Sequence, residues 1–249
     1  MLDRKEMLDI NKAGWDEVAD QYFGILALPK YGPYAPTEDE LNLLGDVAGK
    51  TVLEIGCGSG HSLLYMASRG ARDVWGIDLS TTQVNYSKEL LKENRLTGNI
   101  KQMSMENIDD LPRKYFDIVF SVYALGWTVD MARTLSNIYK RLKNGGVFVF
   151  SWEHPIQSRL MYDDDKITYT QSYHSEGPYN VTWRGVPVIM HHRKVSTILN
   201  ELSNAGFFIE RVLEESRVPE TDDSSPTKWY SGMKARLSPP TIIIKCMKK

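Results

Sequence analysis

The sequence predicts an α/β protein, a three-layer sandwich with a mostly parallel sheet and helices on both faces. Three observations carry this. From residue 37 to residue 151, short apolar runs bounded by glycine and polar residues alternate with segments of helical period. A glycine-rich turn, Gly56-Cys57-Gly58-Ser59-Gly60, directly follows the first of those runs. Two more apolar runs close the chain with no helix of ordinary length between them, which predicts that they pair antiparallel.

Each element has its own signal. Thr37 and Glu40 stand at capping-box spacing, and Leu41, Leu44 and Val47 share a face, so residues 37–48 are predicted as a helix. The run at 51–56 is a buried strand, followed by a helix carrying Leu63, Leu64 and Ala67. Residues 73–78 form the second strand, after which Ser80 and Gln83, again at capping-box spacing, open a helix toward Arg95. Strands three and four are predicted at 99–103 and 116–121. Met131, Leu135, Ile138 and Leu142 mark one face of a helix that Asn144-Gly145-Gly146 ends before strand five, 147–151.

Residues 152–192 break the rhythm: no clean helical period runs through them, and a hairpin is predicted around Ser175-Glu176-Gly177-Pro178. A helix over 195–205 stops at Gly206, and the closing strands lie at 207–216 and 241–248, with a polar stretch, 217–239, between them. The chain is therefore predicted as one domain. Residues 1–36 form an N-terminal cap, 37–151 the core, 152–192 an insertion, and 193–249 a helix with the closing strand pair.

Composition narrows the partners. Hydrophobic residues make up 42% and charged residues 25% of 249, ordinary for a soluble protein. Thirty Lys and Arg against 32 Asp and Glu leave a net charge of -2, which offers no field to gather nucleic acid or anionic lipid. The two cysteines, Cys57 and Cys246, give neither a disulfide framework nor metal-ligand spacing, and they suit a reducing cytoplasm. No apolar run approaches the roughly 18 residues of a membrane span, and the first residues lack the apolar stretch of a signal peptide. Asp163 to Asp165 suggest a metal cluster, but without further ligands at suitable spacing they are read as a solvated turn, so no metal is expected.

The glycine turn carries the chemistry. At Gly56, Gly58 and Gly60 a side chain would obstruct either the tight turn or the approach of a ligand to the backbone. Asp78, at the carboxyl end of the second strand, is placed to accept hydrogen bonds from both hydroxyls of a ribose. Together they indicate an adenosine-containing cofactor. A dinucleotide fingerprint would read GxGxxG; here the spacing is GxGxG, with His61 where the third glycine would stand.

The ordered motifs VLEIGCGSG, GIDLS, FDIVFSVYAL and RLKNGGVFVFS resemble those of class I S-adenosylmethionine-dependent methyltransferases, over roughly residues 45–151. The likeness is strongest to the small-molecule type that includes the ubiquinone and menaquinone biosynthesis enzymes. It implies a Rossmann-like seven-stranded sheet of order 3-2-1-4-5-7-6 with strand seven antiparallel, in agreement with the strand pair read from the residues. It further implies S-adenosyl-L-methionine as cofactor and S-adenosyl-L-homocysteine as product. Glu54, Gly56, Cys57, Gly58 and Gly60 are then expected along the methionine part, Asp78 on the ribose and Leu79 on the adenine. Ser104, Met105 and Glu106 are expected at the adenine edge, Ser104 standing where the family often has an acid. Ser121, Val122 and Tyr123 would face the methionine and the methyl, with Tyr22 covering the cofactor.

A sulfonium methyl is already activated, so such a site has to align the acceptor and exclude water, and a strong catalytic group is optional. Residues 152–192 follow strand five and so lie at the carboxyl edge of the sheet, where a substrate lid is expected. They hold four of the five histidines and many aromatic residues, which favours a planar or partly apolar acceptor. Candidate bases are His154, His191 and His192, with Tyr123 as a further candidate.

Several acceptors lack their signatures. SVYAL stands where amide-nitrogen methylation uses an Asn-Pro-Pro-Tyr loop and the metal-dependent catechol type uses carboxylates, and neither cysteine sits where cytosine C5 methylation needs one. Two other readings stay open at this level: a nicotinamide-dependent oxidoreductase, and a non-catalytic module binding S-adenosylmethionine or RNA.

Overall fold

A computed structural model describes residues 2–163 and 166–249. Its centre is a seven-stranded sheet built from β1 (Thr51–Ile55), β2 (Asp73–Asp78), β3 (Asn99–Gln102), β4 (Phe116–Val122), β5 (Leu142–Glu153), β10 (Phe208–Leu213) and β11 (Thr241–Met247). The spatial order is β10-β11-β5-β4-β1-β2-β3. Six strands point the same way, β1 to β5 and β10, and β11 alone in this sheet lies antiparallel, to both β5 and β10. This is the order that the family resemblance implied. β1 is buried at every position, as a strand covered on both faces must be.

Five longer helices accompany the sheet: α1 (Arg4–Glu17), α3 (His61–Ser68), α4 (Thr81–Glu93), α5 (Met131–Arg141) and α6 (Val195–Asn204). A small apolar cluster joins Met7, Val129 and Ile189, and two large ones lie on opposite faces of the sheet. One sets Leu135, Ile138 and Leu202 against Phe148 and Phe150. The other sets Leu63, Met66, Val84 and Leu91 against Val52 and Phe120. Alternate strand residues thus feed opposite faces, which is what makes the sandwich three layers deep.

Three local expectations are corrected. The helix predicted over 37–48 is a single turn, α2 (Glu38–Leu41). Glu38 is buried, and its carboxylate accepts from the backbone N–H groups of Leu43 and Leu44 and from Tyr31 Oη. Asn42 meanwhile turns left-handed at φ 47°, so the chain leaves the helix while Leu44 and Val47 still enter the core. Asn144-Gly145-Gly146 lies within β5, because α5 ends at Arg141 and Gly145, at φ 75°, donates its N–H to Lys248 O. Only half of the Ser80 capping box forms: Ser80 Oγ accepts from Gln83 N, while Gln83 Oε1 is buried without a hydrogen bond.

The insertion after β5 consists of two hairpins, β6 (Leu160–Asp163) with β7 (Lys166–Tyr169), and β8 (Gly177–Trp183) with β9 (Val186–His192). The second hairpin turns at Arg184-Gly185, not at 175–178. Both turn residues have positive φ, 50° and 89°, the geometry that matches the twist of the flanking strands, and Gly177-Pro178 instead begins β8. In the polar stretch 217–239 there is one short helix, α7 (Gly232–Leu237). Asp164 and Asp165 lie outside the described residues. Among the described residues no group of three or more His, Cys, Asp or Glu is placed to hold a metal, and no helix is long and apolar enough to cross a membrane.

Candidate active site

A cavity enclosing about 1290 Å³, open mouth included, lies over the carboxyl ends of β1, β2, β4 and β5. Its lining runs from the glycine turn and Asp78 to Trp152, Glu153 and Tyr230.

The floor is built by local chain geometry. After β1 the backbone turns through Gly56, Gly58 and Gly60, all at positive φ, into α3. Gly56 is the tightest point: a Cβ there would lie 2.3 Å from Ala124 Cβ. Asp78 ends β2 and fixes the turn from the other side. Its Oδ2 accepts from Gly58 N at 2.9 Å and its Oδ1 from Ser80 N at 2.8 Å. Burial outweighs these bonds and pushes the Asp78 carboxyl up to about 6. Glu54, at 2% exposure, is held well above the usual carboxylate range by burial, and its Oε2 has no hydrogen-bond partner. Glu106 Oε1 accepts from Thr128 Oγ1 and Val129 N, and its Oε2 is unpaired.

Unsatisfied buried carboxyl oxygens are costly unless a ligand completes them. An acid-lined floor with open backbone over a glycine turn therefore suits a ligand with ribose hydroxyls and a positively charged amino and sulfonium portion. The residues present fit S-adenosylmethionine.

The roof is assembled from distant segments. Asn11 of α1 grips β9: its Nδ2 donates to Ile189 O at 3.0 Å and its Oδ1 accepts from Ile189 N at 2.7 Å. Aromatic rings then continue from roof to back wall. Trp15 meets Tyr22 and Trp127 edge-on at 5.0 and 5.1 Å, Trp127 meets Trp152 at 5.6 Å, and Tyr123 meets Trp152 and Tyr230 at 5.7 and 6.2 Å. The Trp152 ring lies against Gly126, where a Cβ would come within 1.8 Å of it. Tyr123 follows β4 with φ 52°, a strained value for a non-glycine residue, and its hydroxyl is tied to Thr241 Oγ1 at 2.7 Å.

Most residues singled out from the sequence reach this cavity. Tyr22, Glu54, Gly56, Cys57, Gly58, Asp78, Leu79, Ser104, Met105, Glu106, Val122 and Tyr123 all line it. Gly60 stands behind the turn, where a Cβ would meet Ser87, and Ser121 is buried in the sheet with Oγ donating to Ile55 O.

The histidines are elsewhere. His154, His191 and His192 line a smaller adjoining cavity behind Trp152 and Met190. There His154 Nε2 meets Glu214 Oε1 at 2.8 Å, and His192 stacks on Tyr179 with ring centroids 3.8 Å apart. Burial holds all three imidazoles below the usual value, His191 and His192 at about 4. The histidine on the main cavity is His61, the first residue of α3.

Sequence reasoning missed Glu153 and Tyr230. Glu153 is the last residue of β5, and Tyr230 lies in the polar stretch before α7. Tyr230 Oη donates to Glu153 Oε2 at 2.7 Å, and Trp229 Nε1 donates to the same oxygen. No local signal marks this cluster, because its members are 77 residues apart in the chain.

Comparison with known proteins converges on one family. Residues 53–150 match a methyltransferase domain model. An uncharacterised protein of Haemophilus influenzae is 32% identical over 84% of this chain and 85% of its own length. A ubiquinone biosynthesis O-methyltransferase of Nitrosomonas europaea is 31% identical over 44% of this chain, which spans 46% of that protein. The crystal structure of a putative S-adenosylmethionine-dependent methyltransferase from Listeria monocytogenes superposes with a TM-score of 0.71 at 27% identity, covering 85% of this chain and 96% of that one. Sheet order, glycine turn, ribose-side acid and these likenesses agree, and the chain belongs to the class I S-adenosylmethionine-dependent methyltransferases.

Proposed function

We propose that the protein transfers the methyl group of S-adenosylmethionine to a small organic acceptor held between the floor and the aromatic roof. One observation carries this reading: a single cavity joins the glycine turn and Asp78 to a wall of Trp127, Trp152, Tyr123 and Tyr230. Bound there, the cofactor supplies a methyl already activated by a positively charged sulfur.

The chain's own residues do the rest. Asp78 holds the ribose hydroxyls. Glu54 and the backbone of Gly56 to Gly58 receive the amino-acid portion, where the unpaired Glu54 Oε2 suits an ammonium group. Leu79, Ser104 and Met105 surround the base, and Tyr22 covers it from the roof. Val122 and Tyr123, at the carboxyl end of β4, position the acceptor opposite the methyl, and the aromatic wall excludes water from the line of transfer. Rings on that wall, and the likeness to a ubiquinone-pathway enzyme, favour a ring-bearing acceptor. Two buried, unpaired thiols and the absence of a spanning helix among the described residues favour a cytoplasmic site of action.

Calorimetry of the purified protein with S-adenosylmethionine, S-adenosylhomocysteine and NAD tests the reading. Binding of both sulfur ligands without NAD is expected. NAD binding with no response to either sulfur ligand would overturn it.

A further inference from the structure

The cavity has a lopsided charge. Glu54, Asp78, Glu106 and Glu153 line it, and among the described residues no lysine or arginine does. Three of these acids sit on β1, on β2 or after β3, beneath the cofactor half. Glu153 stands apart. It ends β5, two strands and roughly 10 Å across the sheet from β1, and faces the aromatic wall.

Glu153 is 4% exposed and is held rigidly from one side only. Trp229 Nε1 and Tyr230 Oη both donate to Oε2. The other groups packed around it do not neutralise it. Tyr123 Oη is engaged with Thr241, and the Tyr179 hydroxyl of β8 donates to Met190 Sδ. Lys234 of α7 gives its ammonium to Lys228 O, and neighbouring His154 turns Nε2 to Glu214. A buried carboxyl fixed by two neutral donors, with the nearby Lys234 ammonium bonded to Lys228 O and no hydrogen-bonded cation of its own, and open to a cavity, is poised to receive a proton from whatever occupies that cavity.

We propose that Glu153 is the acceptor-binding acid and general base of this site, and that the acceptor is a neutral or cationic ring-bearing molecule with an N–H or O–H, not a carboxylate or phosphate. This rests on the methyl-transfer reading above. The acceptor's proton passes to the Glu153 carboxylate while its freed electron pair forms the bond to the methyl carbon. The carbon–sulfur bond breaks with its pair returning to sulfur, so the positive sulfonium and the negative carboxylate are both discharged in the same event. Anionic acceptors are selected against because Glu153 stands on the acceptor side and, among the described residues, no lysine or arginine lines the cavity to pair with them. Burial pushes the Glu153 carboxyl up to about 7, its two donors and Lys234 pulling the other way, so near neutral pH a large fraction is ionised and close to the optimum for accepting a proton.

Three ring compounds of matched size, benzylamine, benzyl alcohol and benzoate, are titrated calorimetrically into the protein saturated with S-adenosylhomocysteine, alongside Glu153→Gln and Glu153→Asp. The amine and the alcohol are expected to bind at least ten-fold more tightly than benzoate. E153Q is expected to erase that preference and E153D to restore part of it. Infrared titration of the same complexes should show a carboxyl that loses its proton near pH 7 in the wild type and is missing in E153Q. Benzoate binding as well as the amine, a preference unchanged in E153Q, binding of none of the three, or no such titrating carboxyl would each overturn the proposal. Affinity of E153Q for S-adenosylhomocysteine within about three-fold of wild type shows that the variant is folded. Loss of that affinity in the wild type itself would instead strike the methyl-transfer reading.

Discussion

The floor and the roof of the cavity are made in opposite ways. The floor is two strand ends and the turns that leave them, locked by bonds between Asp78 and the backbone N–H groups of Gly58 and Ser80. Its geometry is set by backbone, and few side-chain identities are admissible. The roof is side chains from α1, from the β8–β9 hairpin and from the segment before α7, brought together only by tertiary packing. A backbone-built floor fits a cofactor shared by a whole family, while a roof of side chains can be re-cut for each acceptor without disturbing it.

Substitutions that separate the two halves sharpen this contrast. The largest effect is expected from Asp78→Ala, which removes the ribose acceptor and leaves Gly58 and Ser80 without a partner. Charge-assisted bonds of at least about 1.5 kcal/mol each imply a loss of about 100-fold in S-adenosylhomocysteine affinity, read by calorimetry. An unchanged affinity would break the floor assignment. Gly56→Ala puts a methyl 2.3 Å from Ala124 Cβ at φ 70°, and a stability loss of about 3 kcal/mol is expected by urea denaturation.

Asn11→Ala strikes the roof alone. Leaving Ile189 N and O unpaired should cost about 2 kcal/mol, seen as faster hydrogen exchange at the Ile189 amide, with S-adenosylhomocysteine affinity held within a few-fold. If affinity fell as far as in D78A, floor and roof would not be separable.

The smallest effect is a pH dependence. His192 is held at about 4 in the folded protein by burial, with Arg159 adding to it, below its ordinary value of about 6.5. The folded state therefore takes up a proton less readily than the unfolded chain. The stability this contributes is present above about pH 6.5 and is lost as the pH falls toward 4. His192→Asn should flatten the fall in thermal midpoint over that window relative to wild type, and a parallel pair of curves would contradict it.

The same division decides what was legible in the sequence. Gly56, Gly58 and Asp78 could be found because a strand, a tight turn and a helix start are dictated by neighbouring residues, while the sheet order came from the family resemblance that those motifs carry. The helix expected over 37–48 failed because Glu38, buried beside Tyr31, takes the amides of Leu43 and Leu44 that a continuing helix would have used. At the hairpin, Gly177-Pro178 gave the louder local signal, yet the pairing of β8 with β9 set the turn at Arg184-Gly185. The histidines of the insertion drew attention by residue type, but their chain position did not say which side of Trp152 they would occupy. Glu153 was passed over because it is merely the end of a buried strand until Trp229 and Tyr230 arrive from the far end of the chain.

The aromatic wall also makes the protein its own indicator. Of six tryptophans in the chain, Trp15, Trp127, Trp152 and Trp183 line the cavity. Most of the intrinsic fluorescence therefore originates where the ligands dock, and emission will shift as water leaves those indoles. Occupancy of the site can be followed in real time, and unknown acceptors screened, with no label attached to either partner.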